Sequence, residues 1–274
     1  MHMSFSDFTT ALLLLAAFLF LFKRLRYRSP EKLGAEGEKR IAKMLSKTSF
    51  MGYGSRLLQN LYVPSTAGGS SVTSEIDLLY LTPKGLIVIE SKNFSGYIFG
   101  NDASPQWTVS LSAGRGRRGK GRSQKYHFYN PIWQNSNHIK NLIRFLGDDI
   151  PCISIIVFSD RCALMDINWN APGTYICQLH DLTRLMRDIS NAYPNVLSAE
   201  QIDRIYAQLL PLTCTDAVQK ELHTQQIEYR FHESPVCPVC GAPLVLRTVK
   251  HGPNTGLSFY GCSNYPNCRY TRDL

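Results

Sequence analysis

The feature that most restricts how this chain can fold is short. Leu86-Ile-Val-Ile-Glu-Ser-Lys92 follows a turn at Pro83-Lys-Gly85, and Glu75-Ile-Asp-Leu-Leu-Tyr-Leu-Thr82 precedes that turn. A strand with one wet face alternates apolar and polar residues; Leu86 to Ile89 does not alternate, so it belongs in the middle of a sheet covered on both faces. The two segments read as a hairpin. Around them, amphipathic helices are expected over Glu31–Lys47, Pro131–Leu146, His180–Ser190 and Ser198–Leu210, with strands at Cys152–Phe158 and Thr174–Gln178. Ser198 and Gln201 have the spacing of a capping box. One or two short strands fall within Phe94–Val109, and Pro64–Ser74 reads as a loop. That order predicts an α/β fold around a mixed sheet flanked by helices.

The hairpin also carries the polar residues with chemistry in them. Side chains two apart on a strand share a face, so Glu90 and Lys92 project together, and Asp77 projects from the neighbouring strand beside Glu75. Charged groups at the end of a buried strand need partners. A divalent cation such as Mg²⁺, which takes oxygen ligands and keeps several waters, supplies one for Asp77 and Glu90. Such an ion can neutralise a scissile phosphate and activate water, while Lys92 orients that water or stabilises developing oxygen charge. The same residues also suit a solvated surface hairpin, which arises often by chance.

Four motifs in order decide between these readings. Gly34-Ala-Glu-Gly-Glu38, Glu75-Ile-Asp77, Gly85-Leu-Ile-Val-Ile-Glu-Ser-Lys-Asn-Phe-Ser-Gly96 and Asn130-Pro-Ile-Trp-Gln134 resemble the nuclease-related domain, NERD, a branch of the restriction-endonuclease-like PD-(D/E)xK superfamily. The resemblance covers roughly Leu33 to Leu146 and implies a restriction-endonuclease-like mixed sheet. It also implies an active site at Glu38, Asp77, Glu90 and Lys92, a Mg²⁺ or Mn²⁺ cofactor on Asp77 and Glu90, and a helical Gln134 near the site. Ile76 stands where the superfamily commonly has proline. His127, His138 and His180 lack metal spacing and read as surface or core histidines.

Cysteines define a second unit. Cys237-Pro-Val-Cys240 and Cys262-Ser-Asn-Tyr-Pro-Asn-Cys268 form two close pairs separated by twenty-one residues. Two such pairs can supply the four thiolates of a tetrahedral structural Zn²⁺; two disulfides are the alternative in an oxidising compartment. Gly261 to Tyr270 resembles the C-terminal zinc ribbons of bacterial type IA topoisomerases, which implies DNA binding, mainly single-stranded. Tyr265, Arg269 and Tyr270 then offer stacking faces and phosphate contacts. Packing within the small ribbon accounts for some of the aromatics equally well. Cys152, Cys162, Cys177 and Cys214 show no such spacing and read as free thiols.

The net charge is +9, from 30 basic and 21 acidic residues, and it is concentrated in two places. Lys23, Arg24, Arg26 and Arg28 form one cluster; Arg115, Arg117, Arg118, Lys120, Arg122 and Lys125 form the other, in a glycine-rich loop. Without them the chain is close to neutral. The second cluster suits either a nucleic-acid contact or a solvated insertion. The first follows the apolar run Phe8–Phe22, which no basic residue precedes apart from His2. A signal peptide would want a charged start and a small-residue cleavage site, and a core helix would want a polar face. A transmembrane anchor over residues 5–22 fits better, with the remainder cytoplasmic by the positive-inside tendency. The expected organisation is therefore an anchor (5–22), a NERD core (31–147), its α/β continuation (148–212), a linker (213–234) and a zinc ribbon (235–274). The expected setting is a bacterial inner membrane. The expected role is a metal-dependent nuclease acting on DNA, with a non-catalytic DNA-binding or tethering protein as the rival and a membrane-associated partner-binding protein as the third possibility.

Overall fold

The computed structural model describes residues 30–65, 72–111, 123–213, 237, 242–249, 255–266 and 268–273. The anchor segment, the first basic cluster, Arg115 to Arg122, most of the linker and Cys240 lie outside the described residues. None of the described helices is long and apolar enough to cross a membrane.

The chain opens with helix α1 (Pro30–Leu45) and continues through strands β1 (Arg56–Ser65), β2 (Val72–Thr82) and β3 (Gly85–Lys92). Strands β4 (Gly96–Asn101), β5 (Gln106–Leu111) and β6 (Gln124–Tyr129) lead into α2 (Pro131–Leu146). Then come β7 (Cys152–Phe158), β8 (Cys162–Asn168), β9 (Thr174–Gln178), α3 (Leu182–Ala192) and α4 (Ala199–Leu209). The main sheet has the order β1-β2-β3-β7-β9. Its first three strands are antiparallel, while β7 and β9 run parallel to β3. The result is the mixed sheet expected from the element order.

β3 lies at the centre, and its alternate side chains divide between two cores. Ile87 and Ile89 pack with Ile41 and Leu45 of α1 and Leu182, Met186 and Ile189 of α3. Leu86 and Val88 pack on the opposite face with Leu142 of α2 and Ile202, Ile205 and Leu209 of α4. This is why the run is apolar without alternation: neither face of the strand is wet. The Ser198–Gln201 capping box is present at the start of α4.

Several segments differ from expectation. Pro64 and Ser65 pair with Thr73 and Val72, so both strands run further into the segment expected as a loop. Gln124 and Lys125 belong to β6 rather than to the basic loop. Strands β4, β5, β6 and β8 form a second, four-stranded sheet whose core holds Trp107 stacked on Phe158 at 6.0 Å. At the C-terminal end, β10 (Leu244–Thr248), β11 (Ser258–Cys262) and β12 (Thr271–Asp273) form a small antiparallel ribbon.

The pleat of β1 and β2 reverses at one position. Leu78 and Tyr80 face the α1 core, yet Ile76 faces the α2 core together with Leu79 and Leu81. Strict alternation would put Ile76 on the side of Leu78. The reversal falls at Asp77, opposite Asn60, whose φ is +50° between the pairs Gln59–Leu78 and Leu61–Ile76. Two strands thus share a local break where a carboxylate must leave the regular sheet pattern.

The hairpin turn depends on Gly85. Its φ is +116°, and a Cβ there would lie 2.3 Å from the Pro151 carbonyl oxygen. Thr82 Oγ1 closes the turn by donating to Gly85 O at 3.0 Å. Gly85→Ala should destabilise the protein by about 1–3 kcal/mol, since strain and collision act together. Thermal unfolding measures this, and an unchanged midpoint would contradict the turn geometry described.

Candidate functional site

The site forms where β3 stops being buried. Glu90 is 2% exposed, while Ser91 and Lys92 beyond it are half-buried. Lys92 Nζ donates to Glu90 Oε1 at 2.7 Å and to Gln134 Oε1 at 2.9 Å. The β3 pair and the α2 residue are therefore joined through one ammonium group. From β2, Asp77 accepts the Ser91 backbone N–H at 2.8 Å.

The sequence holds α2 in place over the strand. Asn130 caps the helix by accepting the Ile132 N–H at 2.9 Å, with Pro131 at the first helical position, where its missing N–H costs nothing. The Asn130 amide donates to Asn101 O and Ser104 O, tying the cap to the second sheet. Asn135, fully buried, donates to Val88 O at 2.9 Å and to Ser154 Oγ at 2.8 Å. With that clamp between them, Gln134 and His138, four residues apart, both face the end of β3. His138 Nδ1 lies 2.6 Å from Ser74 Oγ, and its Nε2 lies 3.4 Å from Glu90 Oε2.

On the other side, α1 approaches closely because Gly37 lacks a side chain. A Cβ there would stand 3.2 Å from Ser91 Oγ and 3.4 Å from Asn93 Cβ. Asn93 Nδ2 donates to Leu33 O, fastening the helix to the end of β3. Glu38, one residue further along α1, is near enough for its charge to act on Asp77.

Burial, then the charge of Glu90 and that of Glu38, push the Asp77 carboxyl well above its ordinary value of 3.8, against the attraction of Lys92. Burial also opposes ionisation of Glu90, but Lys92 and His138 outweigh it and hold its pKa at about 2. Glu90 therefore ionises readily, whereas Asp77 gives up its proton less readily than an ordinary aspartic acid. Asp77 and Glu90 both feel the Lys92 ammonium, Glu38 adds negative charge beside Asp77, and the buried Glu90 Oε2 faces only His138 Nε2, 3.4 Å away. These residues fit a divalent cation held by Asp77 and Glu90, because added positive charge would relieve each of these costs.

Among the sequence-predicted site residues, Asp77, Glu90, Lys92 and Gln134 are brought together, with Glu38 beside them. Residues that sequence reasoning missed are His138, Ser74 and Asn135. The available signal for His138 was its spacing of four from Gln134 on one helix.

In the ribbon, the sulfurs of Cys237, Cys262 and Cys268 lie within 4.8 Å of one another, all buried; Cys240 falls outside the described residues. Cys237 Sγ and Cys268 Sγ are 3.5 Å apart, in contact but not joined in a disulfide. Zn–S bonds of about 2.3 Å in a tetrahedron require comparable sulfur spacings, so the three thiols fit one zinc ion. Tyr265 is 59% exposed, with Arg247 Cζ 5.8 Å from its ring centroid. Arg269 is exposed, whereas Tyr270 packs partly against the cysteine cluster. Lys125 is exposed on β6.

A buried acid–lysine pair on a central strand, with a second acid from its hairpin partner and a glutamine from a covering helix, defines a nuclease-like α/β domain. Residues 33–159 match the family model described as nuclease-related domain, NERD, and residues 235–274 match that of the topoisomerase DNA binding C4 zinc finger. The chain thus carries a NERD domain followed by a topoisomerase-type zinc ribbon. An uncharacterized protein of Bacillus anthracis is 26% identical over 220 residues, covering 80% of this chain and 95% of that protein. DNA topoisomerase 1 of Methanocaldococcus jannaschii is 40% identical over 57 residues, which are 21% of this chain and 7% of the topoisomerase. The uncharacterized protein YrdD of Escherichia coli is 58% identical over 38 residues, 14% of this chain and 18% of that protein. No solved structure matches the chain.

The opposed shifts of the two carboxyls have opposite consequences for stability. A raised pKa means the folded state keeps the Asp77 proton longer than the unfolded state, so its contribution is lost as pH rises from about 4 through the folded value. The lowered pKa of Glu90 contributes stability above 4.5 that is lost as pH falls toward 2. In buffer without added Mg²⁺ or Mn²⁺, Asp77→Asn should therefore raise the unfolding midpoint at pH 7, by about 2–4 °C per kcal/mol relieved. The gain should vanish near pH 4. Thermal melts across pH test this, and a lower midpoint for the variant at pH 7 would contradict the assignment.

Proposed function

We propose that this protein is a metal-dependent nuclease that hydrolyses phosphodiester bonds in DNA through a PD-(D/E)xK-type site. Its zinc ribbon would supply DNA contacts, and residues 5–22 would anchor it in a bacterial inner membrane with the main domain on the cytoplasmic side. The observation that carries the catalytic part is the Lys92 ammonium bonded to both Glu90 and Gln134 beside Asp77. The NERD match supports a restriction-endonuclease-like reading of the fold, and the ribbon match favours DNA over RNA. The anchor rests on the apolar run and the basic residues that follow it.

Asp77 and Glu90 would hold Mg²⁺ or Mn²⁺, which when bound supplies Lewis acidity at the scissile phosphate and makes water more nucleophilic. An ammonium has three N–H donors; Lys92 uses one on Glu90 and one on Gln134, which leaves one for the attacking water or a phosphate oxygen. Gln134 carries no charge, so its oxygen orients Lys92 without bringing a further carboxylate to the site. Glu38 adds negative charge beside Asp77 and would strengthen its hold on a cation. Lys125 and the basic residues from Arg115 to Arg122, with Tyr265, Arg269 and Tyr270 of the ribbon, would contact phosphates and bases.

The test uses the full chain in detergent micelles with plasmid, linear and single-stranded DNA, and with Mg²⁺ or Mn²⁺. Cleavage should require the ion and should fall by roughly 10²–10⁴-fold in Asp77→Ala and Lys92→Met, while DNA binding persists. Binding without cleavage under every ion would favour the tethering protein instead. Absence of both at low salt would remove the nucleic-acid reading.

A further inference from the structure

We infer that His138 is a ligand of the metal site, through Nε2, and that the site therefore takes Mn²⁺ or a neighbouring first-row ion in preference to Mg²⁺. This rests on the proposed cation at Asp77 and Glu90, but it adds a donor from α2 that neither the motifs nor the family match assigns.

Two buried atoms carry the argument. Glu90 Oε2 and His138 Nε2 face each other at 3.4 Å, too long and poorly aligned for a good hydrogen bond, and neither has another hydrogen-bond partner. The Glu90 side chain is only 3% exposed and that of His138 12%, so bulk water does not satisfy them. Each residue's other polar atom is already engaged: Glu90 Oε1 with Lys92 and His138 Nδ1 with Ser74 Oγ. The ring is thus fixed in orientation, and when Nδ1–H donates to the Ser74 hydroxyl, Nε2 presents its lone pair toward Glu90. Metal-bound histidines are held in this way by a hydrogen bond from the second ring nitrogen.

Two inward acceptors this close need something positive between them. A proton on Nε2 is one answer, giving an imidazolium against the carboxylate. A metal ion is the other, and the spacing suits it. Donors at right angles around an ion with bonds of about 2.1 Å lie about 3 Å apart, a few tenths of an ångström from the observed separation. An imidazole nitrogen is a poor donor for Mg²⁺, which prefers oxygen, and a good one for Mn²⁺ and the later ions of the row. The α2 clamp through Asn135 gives the rigidity such a ligand needs, because it fixes the helix to β3 and β7 one turn before His138.

The experiment is pulsed electron paramagnetic resonance on the zinc-loaded full chain with added Mn²⁺, paired with calorimetric titration of Mn²⁺ and of Mg²⁺. Bound Mn²⁺ should show echo modulation from a directly coordinated imidazole ¹⁴N, and His138→Ala should remove it. The same variant should weaken Mn²⁺ binding about tenfold or more and Mg²⁺ binding by less than about twofold. His138→Asn serves as a second variant if the alanine form fails to fold, and the wild-type spectrum needs no variant at all. Mn²⁺ bound without ¹⁴N modulation, yet lost in Asp77→Ala, would overturn the histidine ligand while leaving the carboxylate site intact. No Mn²⁺ binding by the wild type would overturn both. Equal weakening of both ions by His138→Ala would also overturn it, since that pattern belongs to a residue that only orients Glu90.

Discussion

The structure depends on keeping one buried carboxylate charged. Glu90 sits 2% exposed on a strand whose two faces are covered by separate helical layers, and burial alone would protonate it. Lys92 and His138 prevent that. Both must be delivered to the same strand end, one by the two-residue repeat of β3 and the other by α2. The Asn130 cap and the Asn135 clamp hold α2 at that strand end, and the lack of a side chain at Gly37 lets α1 approach it. The balance is incomplete, since burial and two neighbouring acids push the Asp77 carboxyl above its ordinary value. The proposed divalent cation would complete it.

The domain therefore has its stability and its proposed chemistry in competition at a single point. Hydrophobic burial of Leu86 to Ile89 forms the rigid platform, and the charges that follow are the least comfortable groups on it. Local breaks accompany them: the pleat reverses at Asp77, and Asn60 opposite adopts a positive φ. The ribbon needs little of this. Among its described residues the buried ones are chiefly cysteines and Leu244, so convergence of sulfur on one ion would stand in for a core too small to hold a fold alone.

What the sequence makes legible follows from how local each cause is. The β3 strand is recognisable because an unbroken apolar run has few other uses, and α2 because its apolar spacing and Asn-Pro start coincide. β1 is not, because Asn60 breaks its alternation and Pro64 imitates a loop. The second sheet is hidden for another reason: β4 pairs in parallel with β8, Gly96 with Cys162 at its start, and no local pattern encodes so distant a partnership. At the site, Asp77, Glu90 and Lys92 stand out through motif order. His138 does not, because a histidine four residues after a glutamine acquires meaning only once that helix is known to face Glu90. Ser74 is less visible still, being one hydroxyl in a segment rich in them.

The central claim is that the end of β3 binds a divalent cation between Asp77 and Glu90. Crystals of the chain soaked in Mn²⁺ test it most directly, through the anomalous scattering of the ion. The account predicts one anomalous peak within bonding distance of carboxylate oxygens from both residues, absent from Asp77→Ala crystals. A Lys92 ammonium filling that position, with Mn²⁺ absent or bound only elsewhere, would contradict it.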